Sequence, residues 1–166
     1  GAPFFSPDGN WVGFVANGSL LKVALAGGPS QTLAALPTDL RGADWGTDDV
    51  IVLGLAQGLM QIPAAGGEPT PLFTPDDQRR SWYPQIVADG DAVLFTLTDG
   101  TPDTGELHLL TLETGEHRTL VPNAAKGRVL DTGHLVFVRS GALWAVPFDG
   151  DRLDIAGTPA PVVEGV

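Results

Sequence analysis

The 166-residue sequence has no cysteine, one methionine, one tyrosine, three histidines and only nine lysines and arginines. Without cysteine there is neither a disulfide framework nor a cysteine metal site. That absence says nothing about compartment, because a β domain of this size needs no covalent staples. No apolar run approaches the ~20 residues that cross a bilayer as a helix. The first residues carry no charged-then-apolar leader pattern, so any export or anchoring signal is expected outside this sequence. Twenty acidic residues against nine basic ones give a formal net charge of −11. Such a balance argues against non-specific binding to nucleic acid or to a membrane surface of anionic lipid.

Glycine (22) and proline (14) are plentiful, and no window sustains a helical period. The class is therefore all-β, with many turns. Between Pro3 and Leu33, four short apolar runs are separated by Pro7-Asp8-Gly9, Asn17-Gly18 and Gly27-Gly28. Asp-Gly and Asn-Gly supply the positive φ that tight hairpins demand, so the runs fold back antiparallel on one another.

The same pattern returns three more times, at a period near 40 residues, giving repeats over 1–40, 41–80, 81–125 and 126–166. Repeat one predicts strands at Pro3–Ser6, Trp11–Val15, Leu20–Leu25 and Gln31–Leu33. Repeat two predicts them at Ala43–Gly46, Val50–Leu53, Leu59–Ala64 and Pro71–Phe73. Repeat three predicts Pro84–Val87, Ala92–Leu97, Leu107–Leu112 and Arg118–Val121, with a polar insertion at Thr98–Glu106. Repeat four predicts Arg128–Leu130, Leu135–Val138, Leu143–Phe148 and Ala160–Val163. Aligned, the repeats superimpose Phe5, Trp45, Ile86 and Val129 in the first strand, and Leu20, Leu59, Leu107 and Leu143 in the third. Four strands per repeat at this period are the mark of propeller blades. One four-stranded sheet cannot bury both faces alone, so such sheets stack and cover one another. The expected architecture is a β-propeller of four-stranded antiparallel blades, four in this chain.

Nothing in the sequence reads as an active site, metal centre or cofactor site. None of the five serines sits in a Gly-x-Ser-x-Gly elbow. His108, His117 and His134 lack zinc-site spacing and read as polar surface residues. Asp99, Asp103 and Glu106 in the insertion read as a solvated acidic loop rather than a calcium loop. The recurrent turn aspartates Asp8, Asp48, Asp89 and Asp131 read as acceptors for backbone N–H groups. One asymmetry stands out. Arg41, Arg79, Arg80, Lys126 and Arg128 all fall in blade-to-blade connections or at the entry of an inner strand. Asp8, Asp48, Asp49, Asp89, Asp91 and Asp131 fall at the other end of the blades. A positive collar at one channel mouth follows, open to an anionic or acidic-peptide ligand, with pairing to Asp39, Asp76 and Asp77 as its plain alternative. Trp82 and Tyr83 begin an inner strand there and offer a stacking surface, or core packing.

The run Phe5-Ser6-Pro7-Asp8-Gly9 followed by Trp11-Val12-Gly13-Phe14 resembles the blade motif of TolB-like propellers, a WD-repeat-like family. Val87-Ala88-Asp89-Gly90 with Ala92-Val93-Leu94-Phe95 matches it in part, and repeats two and four depart from it. Val23–Gly28, Ile62–Gly67 and Trp144–Asp149 resemble the version found in extracytoplasmic sensor regions of bacterial serine/threonine kinases. The resemblance implies a non-enzymatic module for protein or ligand binding or sensing, extracytoplasmic, with no cofactor. Two other readings are a propeller domain from a prolyl-oligopeptidase-like or tricorn-like peptidase, and a repeat-folding design with no selected activity. Four blades starting at a first strand and ending at a fourth leave no strand to lace a ring shut. Apolar faces at both ends, with Phe5, Phe14, Val146 and Phe148, are then expected to be covered in a homodimer that closes an eight-bladed ring.

Overall fold

The computed structural model describes residues 3–101 and 103–165. Pro102, inside the polar insertion, lies outside the described residues. The first sheet is formed by β1 (Phe4–Phe5), β2 (Trp11–Ala16), β3 (Ser19–Ala24) and β4 (Gln31–Ala35). The second is β5 (Ala43–Trp45), β6 (Val50–Leu55), β7 (Gly58–Pro63) and β8 (Thr70–Phe73). The third is β9 (Arg80–Val87), β10 (Ala92–Thr98), β11 (Glu106–Thr111) and β12 (His117–Val121). The fourth is β13 (Ala125–Leu130), β14 (His134–Arg139), β15 (Ala142–Asp149), β16 (Asp154–Ile155) and β17 (Ala160–Glu164). Within each sheet neighbours in sequence are neighbours in space, all antiparallel, except that β16 and β17 share β15. This is an all-β, four-bladed propeller-like architecture.

The turns explain the meander. Asn17-Gly18 (φ 51° and 72°) joins β2 to β3, and Ser140-Gly141 (φ 51° and 72°) joins β14 to β15 with the same left-handed pair. Asp8 acts as a turn acceptor, taking hydrogen bonds from the Ser6 hydroxyl (2.6 Å), the Asn10 backbone N–H (3.0 Å) and the Asn10 side-chain amide (2.8 Å). Asp48 accepts from the Val50 N–H at 3.2 Å.

The repeat extends to the irregularities. Phe5, Trp45, Ile86 and Val129 pair with Val12, Ile51, Val93 and Leu135, as the alignment requires. In all four sheets the pairing of the outermost strand slips just after the aligned leucine, at Leu20, Leu59, Leu107 and Leu143. One β-bulge per blade bends the outer edge at one place in the repeat.

Three apolar clusters hold the sheets together, one at each junction between successive sheets. Leu20, Leu59 and Leu107 look forward to the next sheet and are fully buried. Trp45 and Ile86 look back to the preceding one, from the same strands that border the channel. Truncating one such leucine to alanine costs about 2–5 kcal/mol by the usual core rule.

Period-two alternation corrects two expectations. Val146 and Phe148 belong to the junction with the third sheet and are buried there, not on the open side of the fourth. The open side carries Leu130, Leu143 and Val163 instead, one register position away. His108 is likewise buried, because β11 lies inside a sheet covered on both faces. Its ring sits 5.7 Å from that of Phe95, with Nε2 3.2 Å from the Glu106 carboxylate.

Candidate functional site

The four first strands, β1, β5, β9 and β13, border one central space. At their N-terminal ends a cavity of about 620 Å³ opens, lined by Phe4, Phe5, Arg41, Asp44, Trp82, Tyr83, Pro84 and Arg128 among others. Four of the seven residues singled out in the sequence meet here. The Arg41 guanidinium carbon lies 4.5 Å from the Trp82 ring centroid, a cation–π stack. Burial, with the nearby Arg80 charge, lowers the Arg41 pKa, and Asp39 opposes that shift. Neither Arg41 Nε nor Trp82 Nε1 has a hydrogen-bond partner among the described residues.

Tyr83 owes its position to a β-bulge. The register of β9 on β10 slips between Gln85 and Trp82, and Tyr83 takes φ 52°, rare for an aromatic residue. The Tyr83 N–H donates to the Arg41 carbonyl at 3.1 Å, tying the bulge to the preceding blade. Gly42, at φ 132°, allows this approach, since a Cβ there would stand 3.0 Å from Tyr83 Cα. The matching bulge in β13 falls at Lys126 (φ 55°), between Ala125 and Arg128. Backbone held in this region is costly and concentrates where a fold aims side chains at a site.

The other collar residues are placed differently. Arg79 is engaged by Asp77 (2.6 Å) and lies 3.6 Å from Glu106, so the plain pairing alternative holds for this residue. Lys126 pairs with Asp103 at 2.6 Å, and that hydrogen bond raises its pKa. Asp103 and Glu106 therefore serve different cations. Arg80 starts β9 at the surface, outside the cavity lining.

Two polar residues of the inner strands went unrecognised in the sequence. Asp44 and Gln85 occupy equivalent register positions. The Asp44 carboxylate accepts from the Ile86 N–H of the next sheet at 2.8 Å. Gln85 accepts from the Val129 N–H (2.8 Å) and donates to the Val129 carbonyl (2.9 Å). Burial raises the Asp44 pKa, against the pull of its Ile86 hydrogen bond and of the Arg128 charge. The available signal was a lone polar side chain at one repeat position. At the C-terminal ends of the same strands a second cavity, about 390 Å³, is bordered by Asp44, Asp89 and Asp131. The channel is thus basic at one mouth and acidic at the other.

No protein-family profile and no curated protein matches the sequence. Solved structures do match in fold. A putative TolB from Agrobacterium tumefaciens aligns over 98% of this chain and 61% of its own, with TM-score 0.75 and 17% identity. TolB from Acinetobacter baumannii aligns over 99% and 44%, with TM-score 0.72 and 18% identity. An oligogalacturonate lyase in complex with manganese aligns over 99% and 53%, with TM-score 0.71 and 16% identity. The chain spans about half of the length of these structures, and proteins of this fold include enzymes as well as TolB. What the alignments share with the blades described above is architecture: the chain has the fold of TolB-like β-propellers.

Proposed function

We propose that this chain is a non-enzymatic binding or sensing module that takes an acidic peptide or other small anion at the basic channel mouth. The observation that carries the reading is the convergence of Arg41, Trp82, Tyr83 and Arg128 on one cavity. Arg41 is held over an indole, so its remaining donors are oriented before a ligand arrives. A carboxylate there would meet a guanidinium partly removed from water, where a charge-assisted hydrogen bond is stronger than at the open surface. Among the described residues the lining offers no hydroxyl or thiol nucleophile beyond the Tyr83 phenol, and its carboxylate, Asp44, is already bonded to a backbone N–H. Both features favour binding over hydrolysis. The fold likeness to TolB supports an extracytoplasmic setting for such a module.

Titration with a short polyglutamate peptide, followed by Trp fluorescence, tests the reading. Arg41→Ala and Arg128→Ala are each expected to weaken binding by about 10-fold or more, the scale of losing one charged hydrogen bond. Added salt should weaken it further. Affinity unchanged in both variants would remove the proposal.

A further inference from the structure

Between the first and second sheets lies a cleft of about 860 Å³ that shares no lining residue with the basic mouth. Trp11 and Lys22 wall it from the first sheet, and Trp45 and Ala64 from the second. Lys22 Nζ stands 4.7 Å from the ring centroid of Trp11 and 5.8 Å from that of Trp45, and donates to the Ala64 carbonyl at 2.7 Å. Asp8, Asp48 and Asp49 border the same space, yet among the described residues Lys22 pairs with none of them. Two of the three ammonium donors therefore stay open. Trp45, which also borders the acidic mouth, is 6% exposed, and its Nε1–H has no partner among the described residues. A buried donor left unbonded is uncommon in a folded protein and calls for a reason. Packing of blades does not supply one. The positions of Trp11, Lys22 and Trp45 hold Val50, Gln61 and Ile86 at the second junction, and Ala92, Leu109 and Val129 at the third. Two indoles and an ammonium are thus particular to the first junction.

We propose that this cleft is a binding site for a neutral saccharide, separate from the anion site at the channel mouth. The charges decide against the other ligand classes. An anion would face three carboxylates, and a cation would meet Lys22 already seated over both indoles. A sugar ring carries no charge and brings donors and acceptors together. Its hydroxyl oxygens accept from Lys22 Nζ and Trp45 Nε1, and its hydroxyl groups donate to Asp48 and Asp49. Asp48 spends one oxygen on the Val50 N–H, so the other is open. Asp8 is held by Ser6 and Asn10 and shapes the rim. Trp11 is half-buried, so part of its indole is left for the C–H face of the ring. Aromatic walls with a few placed polar groups are what a small-molecule site requires.

The four tryptophan indole N–H signals read the test directly in nitrogen-labelled protein titrated with cellotriose, maltotriose, mannotriose and chitotriose in turn. With at least one of these neutral sugars the Trp11 and Trp45 signals should shift and saturate while Trp82 stays in place, and added salt should leave the affinity unchanged. Lys22→Met keeps an unbranched stem against the indoles and should weaken that sugar by about 10-fold or more. Asp49→Asn suits the left-handed backbone at that position (φ 59°) and should weaken it by a smaller factor. Circular dichroism establishes that both variants keep their sheets. No saturable shift with any of the four sugars would overturn the proposal, as would an affinity unchanged in both variants. Trp11 and Trp45 signals that answer to trilysine or polyglutamate instead of the sugars would also overturn it, since the cleft would then take a charged ligand.

Discussion

Gly9 and Gly58 both take left-handed backbone, at φ 69° and 131°, yet they do so in different surroundings. Among the described residues, chain neighbours aside, nothing lies within 4 Å of the point where a Gly9 Cβ would stand, so Gly9→Ala introduces backbone strain alone, about 1–2 kcal/mol. A Cβ on Gly58 would stand 2.1 Å from the Phe73 carbonyl oxygen, a backbone atom that could make room only if β8 shifted. Gly58→Ala should therefore cost clearly more in denaturant unfolding, and equal losses would contradict this account of the β7–β8 edge. His108 gives a pH dependence at the same scale. Burial lowers its pKa despite the favourable Glu106 carboxylate, with Arg79 and His117 acting in the same direction as burial. The unfolded chain then binds a proton before the folded one does. Stability is complete above the ordinary histidine range and is lost as pH falls through it towards the lowered value. His108→Asn should flatten the fall in Tm between about pH 7 and pH 5. A slope unchanged by the substitution would show that other groups set it.

Among the elements, the inner strands β5, β9 and β13 are joined by side chains reaching to the next backbone as well as by apolar contact. Removing Gln85 strands both the N–H and the carbonyl of Val129, so Gln85→Ala is expected to cost about 1–3 kcal/mol. Gln85→Glu keeps the acceptor and loses the donor, and should fall between the two in thermal unfolding. The meander itself was legible because Asn17-Gly18 and Asp8-Gly9 specify local backbone geometry, and because the leucine at Leu20, Leu59, Leu107 and Leu143 fixes the register. The bulge at Tyr83 was not legible, since Trp82 to Ile86 reads as an ordinary strand and only the pairing with β10 reveals the slip. Asp44 was missed for a related reason. One carboxylate between Ala43 and Trp45 fits solvent-facing alternation, whereas stacking of blades turns that side towards the Ile86 N–H. His108 misled the reading in the same way, on a strand whose two faces are both covered. Val146 and Phe148 were assigned to the wrong side of the last blade because a blade's alternation shows two faces without saying which one looks forward.

For the whole molecule, the separation of charge matters more than its sum. A chain of net charge −11 keeps Arg41, Arg80 and Arg128 near one channel mouth, while Asp89 and Asp131 border the other. Arg79 and Lys126, which the sequence placed in the same collar, are instead neutralised by Asp77 and Asp103. At that mouth Arg41, stacked on Trp82, and Arg128 line one cavity. Amide chemical shifts followed during titration with a short polyglutamate peptide test the proposed function most directly. The account predicts saturable shifts clustered at Gly42, Trp82, Tyr83 and Arg128 that reverse as salt is added. Shifts confined to the Asp89–Asp131 end, or none that saturate, would contradict it.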